Sequence, residues 1–149
     1  MPKIRGAPSD LEKRRFLKDA FEVIRREFDG RLHQLVRDNA GVEFDLTPLD
    51  ATKFTAEIFV NERSRAQCKI WQGGMFSGEG ISYTEGSSML SDNACNEVLT
   101  LAAGNGELAL RAMMSMGFVR AGDRLDIEHL SAHHAAEYLW RRFTSGLER

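Results

Sequence analysis

From residue 54 to residue 113 the chain reads in twos. Phe54, Ala56, Ile58 and Val60 alternate with Thr55, Glu57 and Phe59, and Ala66, Cys68 and Ile70 alternate with Arg65, Gln67, Lys69 and Trp71. Successive side chains of a strand point to opposite faces, so such a run has one dry side and one wet side, the signature of antiparallel pairing. Strands are predicted over residues 54–60, 66–71, 80–83, 98–101 and 108–113. A further strand precedes them, where Val42, Phe44 and Leu46 alternate with Glu43 and Asp45. Pro48-Leu49-Asp50 turns the chain after it, and Asn61-Glu62-Arg63-Ser64 reads as a four-residue turn. Gly104-Asn105-Gly106 is a hairpin signal, because these residues tolerate the positive φ that tight turns need.

On both sides of this region the hydrophobic period changes to three and four. Ser9-Asp10-Leu11-Glu12 fits a capping box, and Leu17, Ala20, Phe21, Ile24, Phe28, Leu32 and Leu35 follow as one apolar stripe. Gly30 interrupts that stripe and is expected to kink or split the helix, at a cost of about 1 kcal/mol relative to Ala. Asn39-Ala40-Gly41 closes it. Near the other end Ser131 reads as an N-cap, with Leu130 placed to staple against Ala135. Ala132, Ala135, Ala136, Leu139, Phe143 and Leu147 then form a second stripe. Strands in succession with helices at the ends make an α+β fold. The expectation is an antiparallel meander of about six strands, with a long N-terminal helix and a C-terminal helix packed on one face. The face carrying Arg65, Gln67, Lys69 and Trp71 is then expected to meet solvent, the N-terminal helix or a partner.

A chain of 149 residues with 42% apolar and 28% charged residues suits one soluble domain, here 1–149 with 1–8 as a loose tail. Its formal net charge of -2 argues against a nucleic-acid partner held by bulk positive charge. No run approaches the roughly 18 apolar residues of a membrane span, and the first residues lack the apolar core of a signal peptide. The expected compartment is the cytoplasm. Cys68 falls on the dry side of its strand and is expected as a buried free thiol, while Cys95 lies in a polar stretch with no basic neighbour to activate it.

Chemistry-bearing residues fall in four groups. His129, His133 and Glu137 are spaced by four, a spacing that on one continuous helix could share a metal. Ser131 as N-cap would put His129 outside the helix, and there is no H-E-x-x-H order to supply a base. Gly73-Gly74-Met75-Phe76-Ser77-Gly78-Glu79-Gly80 lacks the Lys and the following helix of a phosphate loop. Asp92, Asn93, Asn96 and Glu97 could offer oxygen ligands to a hard cation, but they lack EF-hand spacing and suit Asx turns as well. Trp71, Phe76, Tyr83 and Met89 gather around the Gly-rich stretch, where aromatic groups make partner anchors or close a sheet edge.

Cys68-Lys69-Ile70-Trp71-Gln72-Gly73-Gly74, Gly80-Ile81-Ser82-Tyr83, Asn96-Glu97 and Ala135-Ala136-Glu137-Tyr138-Leu139-Trp140 together resemble bacterial accessory domains of the kind attached to Toll/interleukin-receptor-type defence proteins. That resemblance implies an α+β accessory module and no catalytic residues. This chain is expected to stand alone and so to depart from the fused form, which weighs against the defence role. The function expected is therefore a small interaction module without its own catalysis, with a defence or regulatory accessory role. Its expected binding surface is Trp71, Phe76, Tyr83, Asp92 and Asn93. No cofactor is implied, and the partner is a protein or a second copy. Two alternatives stand beside it. One is a small-ligand sensor with a pocket between sheet and helix, lined by Phe54, Phe59, Met113 and Met116. The other is a metal-dependent enzyme using His129, His133 and Glu137.

Overall fold

The computed structural model describes residues 9–73, 80–86, 96–104, 107–114 and 125–148. Helix α1 (Asp10–Asp38) leads into six strands: β1 (Val42–Asp50), β2 (Lys53–Val60), β3 (Arg63–Gln72), β4 (Gly80–Glu85), β5 (Glu97–Gly104) and β6 (Glu107–Ala112). Helix α2 (Ala132–Thr144) and a short 3-10 turn (Ser145–Glu148) follow. The strands form one sheet in the order β1-β2-β3-β4-β5-β6, every neighbouring pair antiparallel. The α+β meander expected from the alternating period is the architecture found.

The capping box forms as its residues dictate. The Ser9 hydroxyl accepts from the Glu12 N–H at 3.1 Å and the Glu12 carboxylate accepts from the Ser9 N–H at 3.2 Å. The expected break at Gly30 does not occur: α1 runs unbroken through it. Gly30 is exposed, while Phe28 and Leu32 beside it are fully buried. Burying a large apolar side chain is worth roughly 1.5–3 kcal/mol, enough to outweigh the glycine penalty.

Both helices lie on one side of the sheet and seal it with rings. Phe54 of β2 meets Phe21 and Phe28 of α1 at 5.7 and 5.9 Å. Phe28 also stacks on Phe143 and takes Trp140 edge-on, so one ring ties α1, the sheet and α2 together. The register explains which residues share this side. Phe54 pairs with Ile70, Ile70 with Tyr83, and Tyr83 with Glu97, so all four point toward the helices. The space between sheet and helix at Phe54 is filled by those rings. Phe59 has the opposite parity and Met113 is exposed, so the pocket-lining set expected from sequence is not assembled. Met116 lies outside the described residues.

Three local features depart from expectation. The β2–β3 turn is two residues long, Asn61 and Glu62, both at positive φ (51° and 69°), the geometry that matches strand twist in tight hairpins. β4 extends through Thr84 and Glu85, past the predicted end at residue 83. The second face of the sheet is not uniformly wet: Lys69 is 6% exposed and Trp71 7%, and Ser82, Thr84 and Val98 on the same side are buried. The Lys69 ammonium sits 5.1 Å from the Trp71 ring centroid, a cation–π contact that lets this pair accept burial. Trp71→Ala is therefore expected to cost about 3 kcal/mol by urea unfolding, as a large-to-small change in packed surroundings. A loss under about 0.5 kcal/mol, the usual range for free surface positions, would return Trp71 to the surface.

Candidate functional site

Where β4 ends, β3 continues. The last β3–β4 pair is Cys68 with Glu85, so residues 63–67 of β3 have no strand on that side among the described residues. The Gly73 N–H to Gly80 carbonyl bond (2.7 Å) fixes the phase of this ladder. Main-chain groups alternate sides along a strand, so Trp71, Lys69 and Gln67 all aim theirs toward β4. For Trp71 and Lys69 the partners are Ser82 and Thr84. For Gln67 the strand has already ended.

Beside this uncovered half of β3 lies an open hollow of about 460 Å³. Its walls are Ser64, Arg65 and Gln67 from β3, Glu85 and Gly86 from the end of β4, and Arg142, Ser145 and Gly146 from the end of α2. Arg65 reaches it through a bulge. Ile58 pairs with Ala66 but Phe59 pairs with Ser64, so one extra residue, Arg65, is inserted into β3. Bulges of this kind re-aim a side chain and end regular pairing.

The floor is a small polar network. Glu85 Oε1 accepts from the Tyr83 hydroxyl at 2.6 Å and from Arg142 Nε at 2.8 Å. Asn96 secures the end of β4, its side-chain oxygen accepting from the Glu85 N–H at 2.9 Å and the Thr84 hydroxyl at 3.2 Å. Burial pushes the Tyr83 phenol well above its ordinary range, so at neutral pH it is a fixed donor. Burial also pushes the Cys68 thiol up, with the charge of Glu85 adding to it. A thiol so raised and fully enclosed is a core group and a poor nucleophile. The network fixes the Glu85 and Arg142 side chains against each other. It does not pair a nucleophile with a base.

A more deeply buried acid has a different role. Glu97 is 1% exposed. Its Oε1 accepts from the N–H groups of Val98 (2.9 Å) and Met114 (2.8 Å), and its Oε2 from the Tyr138 hydroxyl (2.6 Å). It joins β5, the exit of β6 and α2.

The expected binding residues are not gathered at the hollow's mouth. Tyr83 is fully buried and contributes to the floor through Glu85, and Trp71 is enclosed on the opposite face, so neither ring is exposed. Both lie mid-sheet between paired strands, where a large ring is covered. Phe76, Asp92 and Asn93 lie outside the described residues. Asn96 and Glu97, weighed as cation ligands, spend their oxygens on the protein itself. The histidines do not converge: His129 precedes α2 beside Asp126 (3.7 Å), His133 faces Glu27 of α1 (3.3 Å), and Glu137 pairs with Arg141 (2.8 Å). The Ser131 N-cap accounts for this, its hydroxyl accepting from the His134 N–H.

Glu85 and Arg142 escaped the sequence reading, which puts Arg65 and Gln67 on the face expected to meet solvent, the N-terminal helix or a partner. β4 is buried on both faces, so the alternation that would have revealed Glu85 as strand is missing. One signal was available: Ile81-Ser82-Tyr83-Thr84 is rich in β-branched and aromatic residues.

Among the described residues no helix is long and apolar enough to cross a membrane. A family model described as the Y4lF protein domain matches residues 43–145. A curated bacterial relative, "Uncharacterized protein y4lF" of Sinorhizobium fredii (strain NBRC 101917 / NGR234), is 35% identical over 129 residues. That alignment covers 87% of this chain and 38% of the relative, so the chain spans well under half of the relative's length. No solved structure matches. None of these comparisons connects the chain to Toll/interleukin-receptor defence proteins.

Proposed function

The chain belongs to the Y4lF domain family, and from that premise we propose that it is a docking module that accepts an extended segment of a partner protein as an added strand and performs no bond chemistry of its own. The observation that carries this reading is the half of β3 that has no strand beside it among the described residues, next to an open hollow, with the main-chain groups of Gln67 aimed into it. An exposed strand edge offers N–H and C=O groups in fixed register, and an extended peptide gains affinity by pairing with them. The matched region occupies only part of the longer Sinorhizobium relative, which suits a module carried by larger proteins.

The test is amide hydrogen exchange followed by NMR. In the free protein the Gln67 amide should exchange much faster than those of Lys69 and Trp71. Saturating amounts of an alternating Val-Thr octapeptide should slow Gln67 by at least about tenfold, since a protected amide exchanges only when the added strand leaves. An N-methylated version of the same peptide should not. If Gln67 is already as protected as Lys69, or no peptide slows it, the docking role is wrong. A second reading then takes its place, because a hollow of about 460 Å³ also suits a small ligand.

A further inference from the structure

The walls of the hollow carry two arginines, Arg65 and Arg142, against one carboxylate, Glu85. That carboxylate is engaged, its Oε1 taking both the Tyr83 hydroxyl and Arg142 Nε. Arg65 is exposed and makes no hydrogen bond or ion pair within the described protein, although the bulge delivers it to the hollow. An uncompensated guanidinium beside an open main-chain edge is an electrostatic half-site.

The far wall is built from Arg142, Phe143, Ser145 and Gly146 at the end of α2, where Arg142 is already paired with Glu85 and the helix's carbonyl end carries partial negative charge. The Ser145 hydroxyl is already donated to the Arg142 carbonyl at 2.9 Å. An anion entering the hollow is therefore drawn to the β3 wall and away from the helix wall.

We infer that the segment docked against β3 is acidic, an extended peptide carrying Asp or Glu at alternate positions, with one carboxylate held by Arg65. This inference rests on the strand-docking role proposed above. Arg65 is its specificity-determining residue, and Gln67 supplies the sequence-independent main-chain contact.

Fluorescence anisotropy with three labelled octapeptides tests it, alternating Val with Thr, Glu or Lys. The Glu peptide should bind about fivefold tighter than the Thr peptide, since an exposed ion pair is worth at most about 1 kcal/mol. The Lys peptide should bind weakest. Raising salt to 1 M, where the screening length is about 3 Å, should erase the preference. Arg65→Gln should bring the Glu and Thr peptides level. Arg14→Gln, which removes an equal charge from an exposed position on α1, should leave the preference intact. Equal binding of the Glu and Thr peptides to the unmodified protein, a preference for Lys, or a Glu preference that survives Arg65→Gln would each overturn the assignment. In those cases the Thr peptide still protects the Gln67 amide and strand docking stands. If no peptide binds or protects Gln67, docking itself has failed and the acidic partner falls with it.

Discussion

Glu97→Ala is expected to destabilise the fold by about 4 kcal/mol, measured by urea unfolding of the whole chain. The carboxylate sits at 1% exposure and accepts from the Val98 N–H, the Met114 N–H and the Tyr138 hydroxyl. Removing it strands the Val98 N–H and the Tyr138 hydroxyl in buried surroundings, while the Met114 N–H belongs to an exposed residue. Each unsatisfied buried group costs about 1–3 kcal/mol, and bonds to a charged acceptor are the stronger kind. Tyr138→Phe, which removes one donor and leaves the acceptor, should cost only about 1–2 kcal/mol. In the double variant the Tyr138 change should cost less than it does alone, because the two groups share a bond. A Glu97→Ala loss below 1 kcal/mol, with additive behaviour, would show that the donors find other partners.

Phe28→Ala is the other large effect, also about 4 kcal/mol. Its ring is fully buried and lies between Phe54 on the sheet and Trp140 and Phe143 on α2. Truncating a core phenylalanine typically costs 3–5 kcal/mol, the transfer energy plus the cavity left behind. Because three elements meet at this ring, relaxation of one neighbour cannot fill the gap without disturbing the other two. Phe28→Leu retains most of the volume and should recover more than half of the loss. If Ala and Leu behaved alike, shape at this junction would be immaterial, and the link between α1 and α2 would lie elsewhere.

Much of the frame could be read before any coordinates. Ser9 with Glu12, and Ser131 before its stripe, mark helix starts because their side chains satisfy specific free amides. Alternation fixed β1, β2 and β3 because each has a drier and a wetter face. The same rule failed where both faces are covered. Lys69 and Trp71 share parity with Arg65 and Gln67 and look wet by pattern, yet both are enclosed. β4 has no alternation at all, which hid Glu85. The candidate site was the least legible part. Arg142 reaches Glu85 across the fold, at a separation of 57 residues, and no local spacing encodes such a pair. The bulge at Arg65 is an offset between two strands, and neither strand's own sequence announces it.

The order of the strands has a consequence for how the molecule assembles. Every strand lies next to its predecessor in the chain, so the ribbon can close hairpin by hairpin, each step bridging only the stretch between neighbouring strands. The two helices are different. They come from opposite sides of the whole ribbon and touch through Phe28, Trp140 and Phe143. Their meeting bridges the greatest length of chain, so loop-closure entropy favours it as a late step, the one that turns a zipped ribbon into a locked body.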